Sequence, residues 1–168
     1  IRRLVQADRQ ELSGKLRVTS VDICIQRLLL PPLRAFARQY PDIDIELIAS
    51  TEVVDLSVHD ADIAFRTTKQ PPANVVGKHI ADFAYAVYAT PELYGQYRED
   101  PRKVSAITWN WMASASTAPA WLAKCFPEMP MRYRVNSLTI AFDLARQGMG
   151  FTQLPCAIGD IAPELCRV

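Results

Sequence analysis

Strands and a helix alternate over the stretch from Leu16 to Arg66, and this alternation limits the fold more than any other feature of the chain. Apolar and polar side chains alternate over residues 16–18 and 43–47, which predicts two half-buried strands. Between them, residues 29–40 carry apolar side chains at three- and four-residue steps, the pattern of an amphipathic helix. Residues 62–66 form a short apolar run typical of a strand buried on both faces. Strands joined through helices imply parallel pairing, and the sequence therefore predicts an α/β fold.

The same kind of pattern begins again near residue 84. Further strands are predicted at 83–89, 106–109, 131–135, 151–154 and from 165 onward, with helices at 119–126 and 138–147. Thr90 and Pro91 mark a helix start, because threonine caps free N–H groups and proline lacks one. Gly148 ends the helix before it, since glycine readily adopts the left-handed conformation. The restart predicts two lobes, at residues 14–84 and 85–168.

Composition and charge exclude several classes of protein. A 49% apolar and 22% charged chain is globular and not disordered. The net charge of +1 excludes a basic nucleic-acid-binding surface on this chain, and no run of about 20 apolar residues predicts a membrane span. The cysteines are scattered and are interpreted as buried or free thiols of a reducing compartment; they are Cys24, Cys125, Cys156 and Cys166. Because the chain begins with isoleucine, we expect it to be part of a longer protein.

Polar residues follow two of the predicted strands, where ligands bind in open α/β sheets. The Ser20 loop, residues 19–22, follows the first strand, and Asn136 and Ser137 follow the strand at 131–135. Each place combines hydroxyl or amide groups with a helix N-terminus, an arrangement that suits a carboxylate or another small anion. The alternative interpretation is that these residues are helix caps and nothing more.

Other strand ends supply further candidates for the same site. Ser50 and Thr51 end the strand at 43–47, and Arg66 ends the next strand. Arg66 has an alternative role in a surface ion pair with Asp60 or Asp62. Trp109 is a candidate aromatic wall, with core packing as its alternative role.

Signatures of catalysis are missing from the sequence. It contains no G-x-S-x-G, no P-loop and no H-E-x-x-H motif. Gly148 and Gly150 lie between a helix and a strand, the wrong context for a dinucleotide fingerprint, and His59 and His79 are isolated. We therefore predict no catalytic residues, no metal and no cofactor.

Several short segments, taken together in their order and spacing, carry a resemblance to a known family. They are Leu16–Thr19, Leu30–Leu33, Tyr40–Asp42, Ile45–Leu47, Val54–Leu56, Asp62–Arg66, Val76–Lys78, Tyr88–Pro91, Leu144–Gly150 and Leu154–Pro155. The series resembles the effector-binding domain of LysR-type transcriptional regulators, and the likeness runs from about Leu12 to Val168.

The resemblance implies a fold similar to type 2 periplasmic binding proteins, with two Rossmann-like lobes and an effector cleft between them. Residues 1–13 are then the end of a linker helix that follows an upstream winged helix-turn-helix, and the C-terminal return to the first lobe is missing. By the same resemblance, the effector contacts fall at Ser20, Val21, Asp22, Ile23, Ser50, Thr51, Arg66, Trp109, Asn136 and Ser137.

The expected function is that of a ligand-sensing and oligomerisation domain. The expected partners are a small, anionic effector, DNA through the upstream domain, and further copies of the chain in a homodimer or homotetramer. We expect a cytoplasmic protein with no membrane contact. One alternative is an exported solute-binding protein of the same fold, and another is a small enzyme with a cysteine or serine nucleophile.

Overall fold

The computed structural model of the protein is an α/β structure that divides into two compact units, Ile1–Val76 and Gly77–Val168. The residues that it describes are 12–50, 61–68, 75–109 and 117–168. Each unit contains its own sheet, and the predicted α/β class with two lobes is confirmed. Of the predicted end of the linker helix at 1–13, residues 1–11 lie outside the described residues.

The sheet of the first unit has three described strands in the order β2-β1-β3. They are β1 (Gly14–Ser20), β2 (Ile43–Ala49) and β3 (Ile63–Ala64). Both neighbours of β1 run parallel to it, which confirms the predicted parallel pairing. The prediction of a third strand buried on both faces is wrong. β3 is only two residues long, and Ile63 is 42% exposed, because β1 takes the central place among the described strands.

The helix after β1 begins earlier than its prolines suggest. A short helix α1 (Asp22–Cys24) continues through a π-helical turn (Ile25–Leu29) into α2 (Leu30–Gln39). Pro31 and Pro32 lie in the first turn of α2, just after the π turn, and neither has an N–H group to donate to the preceding turn. The widened turn therefore lies where the ordinary helical hydrogen bonds cannot form.

The sheet of the second unit has five described strands in the order β6-β5-β7-β4-β8. They are β4 (Tyr85–Ala89), β5 (Ala106–Trp109), β6 (Met131–Val135), β7 (Phe151–Pro155) and β8 (Cys166–Arg167). Strand β5 pairs in parallel with β6 and β7, whereas β4 pairs antiparallel with β7 and β8. The carboxyl ends of β5, β6 and β7 therefore share one edge of this sheet.

Helices connect these strands at the predicted places. They are α3 (Pro91–Glu99), a 3-10 turn (Pro101–Lys103), α4 (Thr117–Cys125), α5 (Leu138–Arg146) and α6 (Cys156–Gly159), of which only the 3-10 turn and α6 were not predicted. Thr90 caps α3, since its hydroxyl accepts the Leu93 N–H at 3.3 Å. Gly148 follows α5 with φ of 69°. Both predicted helix boundaries are confirmed.

The main described apolar core lies in the second unit and holds its strands together. Its members come from β4, β5, β7, α3, α4 and the segments that connect them; they are Val87, Ala89, Leu93, Val104, Ala106, Leu122, Met129 and Phe151. The rings of Tyr97 and Phe126 pack against Phe151 at centroid distances of 5.3 and 5.7 Å. None of the helices in the described ranges is long and apolar enough to cross a bilayer.

Candidate functional site

Arg66 is fixed at the carboxyl ends of the three strands of the first unit. Its Nη1 donates to the backbone oxygen of Ser50 at 2.7 Å, and its Nη2 donates to Thr19 Oγ1 at 2.9 Å. The Thr19 hydroxyl in turn donates to the backbone oxygen of Ile48 at 3.0 Å. The guanidinium is therefore oriented by neutral oxygens from β1 and from the end of β2.

The charge of Arg66 has no carboxylate partner within the described part of the chain. The predicted alternative, an ion pair with Asp62, does not form, because the Asp62 carboxylate accepts the backbone N–H of Arg17 at 2.8 Å. Asp60 lies outside the described residues. Burial lowers the pKa of Arg66, but a guanidinium stays charged in proteins. A partly desolvated positive charge thus remains at this strand edge.

The thiol of Cys24 lies near this charge and does not neutralise it. Burial raises the pKa of Cys24, the nearby carboxylate of Asp22 raises it further, and the opposite effect of Arg66 is smaller. Since the thiol is favoured over the thiolate, Cys24 adds no negative charge at neutral pH.

The Ser20 loop is built differently from a simple helix cap. Ser20 is 1% exposed, and its hydroxyl donates to the backbone oxygen of Phe65 at 3.0 Å, so the interpretation of Ser20 as a cap is wrong. Val21 occupies the cap position without a side-chain bond, and the Asp22 carboxylate accepts the Ile23 N–H at 2.8 Å. Ile23 is fully buried. Thr51 lies outside the described residues.

At the strand ends of the second unit, Trp109 packs against a second aromatic ring and bonds to the backbone of the neighbouring strand β7. Trp109, at the end of β5, is 6% exposed, and its indole N–H donates to the backbone oxygen of Gln153 at 2.8 Å. The rings of Trp109 and Tyr85 lie 6.4 Å apart. Trp109 is therefore packed and hydrogen-bonded at the edge of its sheet.

Asn136 and Ser137 follow β6 as expected from the sequence. Asn136 is exposed, and the hydroxyl of Ser137 accepts the Ile140 N–H at 3.4 Å at the start of α5. The interpretation of Ser137 as a helix cap is confirmed.

The structure places three further residues at these strand ends that the predicted effector contacts do not include. Thr19 orients Arg66, Tyr85 pairs with Trp109, and Gln153 places an amide on a strand that is otherwise apolar or hydroxyl-bearing. Only Gln153 has a signal in the sequence, because a glutamine inside a buried strand needs a polar partner. Over the described ranges, no group of three or more histidine, cysteine, aspartate or glutamate side chains is placed to hold a metal ion.

Comparison with known protein families shows to which family this domain belongs. A family model described as the LysR substrate binding domain matches residues 9–165 of the chain. The chain belongs to this family. The resemblance predicted from the ordered segments is therefore confirmed.

The curated relatives of the chain are HTH-type transcriptional regulators. The HTH-type transcriptional regulator PgrR of Escherichia coli K12 is 25% identical over 154 residues, which cover 85% of this chain and 51% of PgrR. The regulator PtxR of Pseudomonas aeruginosa is 24% identical over 164 residues, which cover 94% of this chain and 52% of PtxR. The LysR substrate-binding domain described here thus spans about half the length of the curated relatives that it matches.

Solved structures agree on the fold. The regulatory domain of CrgA, a LysR-type regulator of Neisseria meningitidis, has a TM-score of 0.76 and 24% identity, with 94% of this chain and 81% of that chain covered. The effector domain of AmpR of Pseudomonas aeruginosa has a TM-score of 0.71 and 20% identity, with 93% and 78% covered. At these identities the likeness shows the LysR regulatory-domain fold and nothing finer.

Proposed function

We propose that this chain is the ligand-sensing and oligomerisation domain of a LysR-type regulator, and that it binds a small anionic effector between its two lobes. The observation that carries the proposal is the charge of Arg66, which is partly buried and held by neutral oxygens. Burying a charge without a counter-ion costs free energy, and a bound anion would recover part of this cost.

Arg66 is suited to an anion by its charge and by the N–H donors that no described residue accepts from. A guanidinium has five N–H donors, and the hydrogen bonds to Ser50 and Thr19 orient its plane. A carboxylate can take two parallel hydrogen bonds from such a fork, which makes the contact strong and directional. We propose Ser20, Val21, Asp22 and Ile23, together with Ser50 and Thr51, as the surroundings of this anion.

The second unit would supply the remaining contacts of the effector. Asn136 and Ser137 offer an amide and a hydroxyl at the start of α5, and Trp109 offers an apolar surface at the end of β5. A carboxylate with an apolar or aromatic body matches this combination of groups.

Ligand binding would act on DNA through a change in the population of two arrangements. An effector shifts such an equilibrium only by the difference in its affinities for the two states. The coupling free energy between two binding sites is commonly about 1–3 kcal/mol, which is enough to change the affinity of an oligomer for DNA. DNA itself would be bound by an upstream helix-turn-helix domain, which is consistent with the names and the greater length of the relatives. A regulator of this kind would act in the cytoplasm and would catalyse no reaction. The alternative function, an exported solute-binding protein, is not favoured, because the curated relatives are transcriptional regulators.

A melting experiment tests the anionic effector. We expect one or more of acetate, succinate, benzoate and 4-hydroxybenzoate to raise the melting temperature of the chain, and the neutral analogue benzamide to have less effect than benzoate. An acid at about 100 times its dissociation constant adds about 2.7 kcal/mol to the free energy of unfolding. If benzamide stabilises the chain and none of the acids does, the effector is not an anion.

The proposed oligomerisation surface is the described edge of the first sheet and the helix beside it. Helix α2 has no buried residue, Leu30 is 47% exposed, and Leu47 on β2 is 40% exposed. Strand β2 is the edge strand next to β1, so its outer backbone groups have no strand partner among the described residues. We propose that this surface meets the second lobe of another copy, where β6 is an edge strand with Arg132 and Arg134 exposed.

The oligomer is tested by replacing Leu47 with glutamate. A charge on an apolar contact surface should raise the dissociation constant of the dimer at least about tenfold, a change of about 1.4 kcal/mol. Sedimentation equilibrium measures this change. Val76→Glu is the matched control, because Val76 is apolar and 96% exposed but lies outside the proposed surface. An equal effect of both substitutions would contradict a contact at β2.

A further inference from the structure

Gln153 carries a buried acceptor that the described protein leaves without a hydrogen bond. Its side-chain Oε1 is shielded from solvent and receives no donor, although its backbone oxygen is bonded to the indole of Trp109. Buried polar atoms are paired in the great majority of cases, because an unpaired one loses its hydration without compensation. The buried side-chain oxygen of Gln153 therefore needs a hydrogen-bond donor.

The surroundings of the amide are apolar and aromatic. Gln153 lies directly opposite Val87 in the antiparallel pair of β4 and β7, and opposite residues of such a pair have their side chains on the same face. Val87 belongs to the core cluster of the second unit. Tyr85 is two residues from Val87 along β4, so its ring lies on this face too, in contact with the Trp109 ring.

This location places the amide close to the ligand edge of the second unit. Gln153 is bonded through its backbone to Trp109, the last residue of β5, and the carboxyl ends of β5 and β7 lie at one edge of the sheet. An amide on the same sheet face as Val87 and Tyr85 can accept a hydrogen bond from a hydroxyl or an N–H group on a flat apolar body.

We propose that Gln153 is a specificity-determining residue of the effector site and that its amide binds a hydroxyl or N–H group of the effector. The inference rests on the proposed function and adds the chemistry of the effector's other end. The effector is then an acid that carries, away from its carboxylate, an aromatic or other planar body with a hydrogen-bond donor. An effector without such a donor would leave the amide unpaired and would bind less tightly.

Stability in the absence of ligand is the first test, with Gln153→Met as the variant. Methionine has a similar volume but no polar atom that needs a partner, so the melting temperature should rise by about 2–4 °C. Gln96→Met is the matched control, because Gln96 is exposed on α3 and should give no change. A lower melting temperature for Gln153→Met would mean that the amide has a structural partner, and this would overturn the proposal.

Binding is the second test, with benzoate and 4-hydroxybenzoate as the probes. For the unsubstituted chain we expect 4-hydroxybenzoate to bind more tightly than benzoate, and for Gln153→Met we expect this advantage to fall by about tenfold, the value of one hydrogen bond. Unchanged affinities in Gln153→Met would mean that a buried water satisfies the amide, which would overturn this proposal and leave the anionic effector standing. If succinate binds the unsubstituted chain and neither aromatic acid does, the proposal of an aromatic effector is wrong and the proposal of an anionic effector stands. If no acid binds, both proposals are contradicted.

Discussion

Replacing Gly159 with alanine is expected to destabilise the second unit by about 3 kcal/mol or more, because the added methyl group meets a buried ring. A Cβ at this position would lie 2.3 Å from Cζ of Tyr88, and Tyr88 is 1% exposed. The ring cannot move aside at low cost, since its hydroxyl donates to Asp160 at 2.7 Å and accepts from Arg167 at 3.1 Å. The melting temperature should fall by about 6–12 °C for a chain of this size.

Gly95→Ala is the control for this substitution. Gly95 lies inside α3, and a Cβ there would meet nothing within 4 Å. Alanine should therefore raise the free energy of unfolding by about 0.4–1 kcal/mol, because it restricts the unfolded chain. Calorimetry of the two variants separates steric contact from the general effect of removing a glycine. A stable Gly159→Ala variant would mean that α6 and β4 do not pack as described.

Replacing Arg66 with glutamine is expected to weaken the binding of a stabilising carboxylate by about 10- to 150-fold, the range for hydrogen bonds to charged groups. The amide can keep a hydrogen bond to Thr19 or Ser50, and the variant no longer buries a charge. The melting temperature without ligand should therefore change by no more than about 2–4 °C, which corresponds to about 1 kcal/mol. Titration calorimetry with the acid that gives the largest shift in the melting experiment measures the affinity.

Two further variants sharpen this result. Arg66→Lys keeps the charge but lacks the planar fork, so its affinity should fall between those of the unsubstituted chain and Arg66→Gln. Arg98→Gln removes an exposed arginine from α3 and should leave binding unchanged. Full affinity in Arg66→Gln would show that the anion is held elsewhere. Unfolding of Arg66→Gln, with Arg66→Lys stable and of full affinity, would assign Arg66 a structural role alone.

Most secondary structure could be predicted because it depends on local patterns. The period of the apolar residues predicts β5 and β6 at their observed bounds, and Thr90 and Gly148 mark helix ends through their own backbone and side-chain chemistry. The ordered motifs likewise predict an effector-binding domain of the LysR type, and the match of the LysR substrate binding domain to residues 9–165 confirms it.

Predictions failed where a non-local neighbour decides the outcome. The apolar run at 62–66 has the composition of a strand buried on both faces, but among the described strands β3 lies at the sheet edge, and Ile63 is exposed. Ser20 has the composition of a helix cap, but its hydroxyl donates to the backbone oxygen of Phe65, and Val21 takes the cap position. In both cases the outcome depends on contacts between segments that are distant along the chain.

The candidate site was predicted as a set of strand ends, and those positions remain proposals for effector contacts. Their individual roles depend on geometry that spacing does not contain. Arg66 pairs with the Ser50 carbonyl and the Thr19 hydroxyl and not with Asp62, because the parallel register of β1 with β2 and β3 brings those oxygens to it.

The sequence by itself determined the α/β class, the two lobes, the helix boundaries at Thr90 and Gly148 and the family, since periodicity, capping chemistry and the order of motifs are properties of the chain alone. Only the tertiary structure decided which described strand is central, which oxygens hold Arg66 and which glutamine oxygen has no partner among the described residues. The physical reason is that hydrogen bonding and burial of a side chain depend on the groups that folding brings beside it, and those groups come from distant parts of the chain.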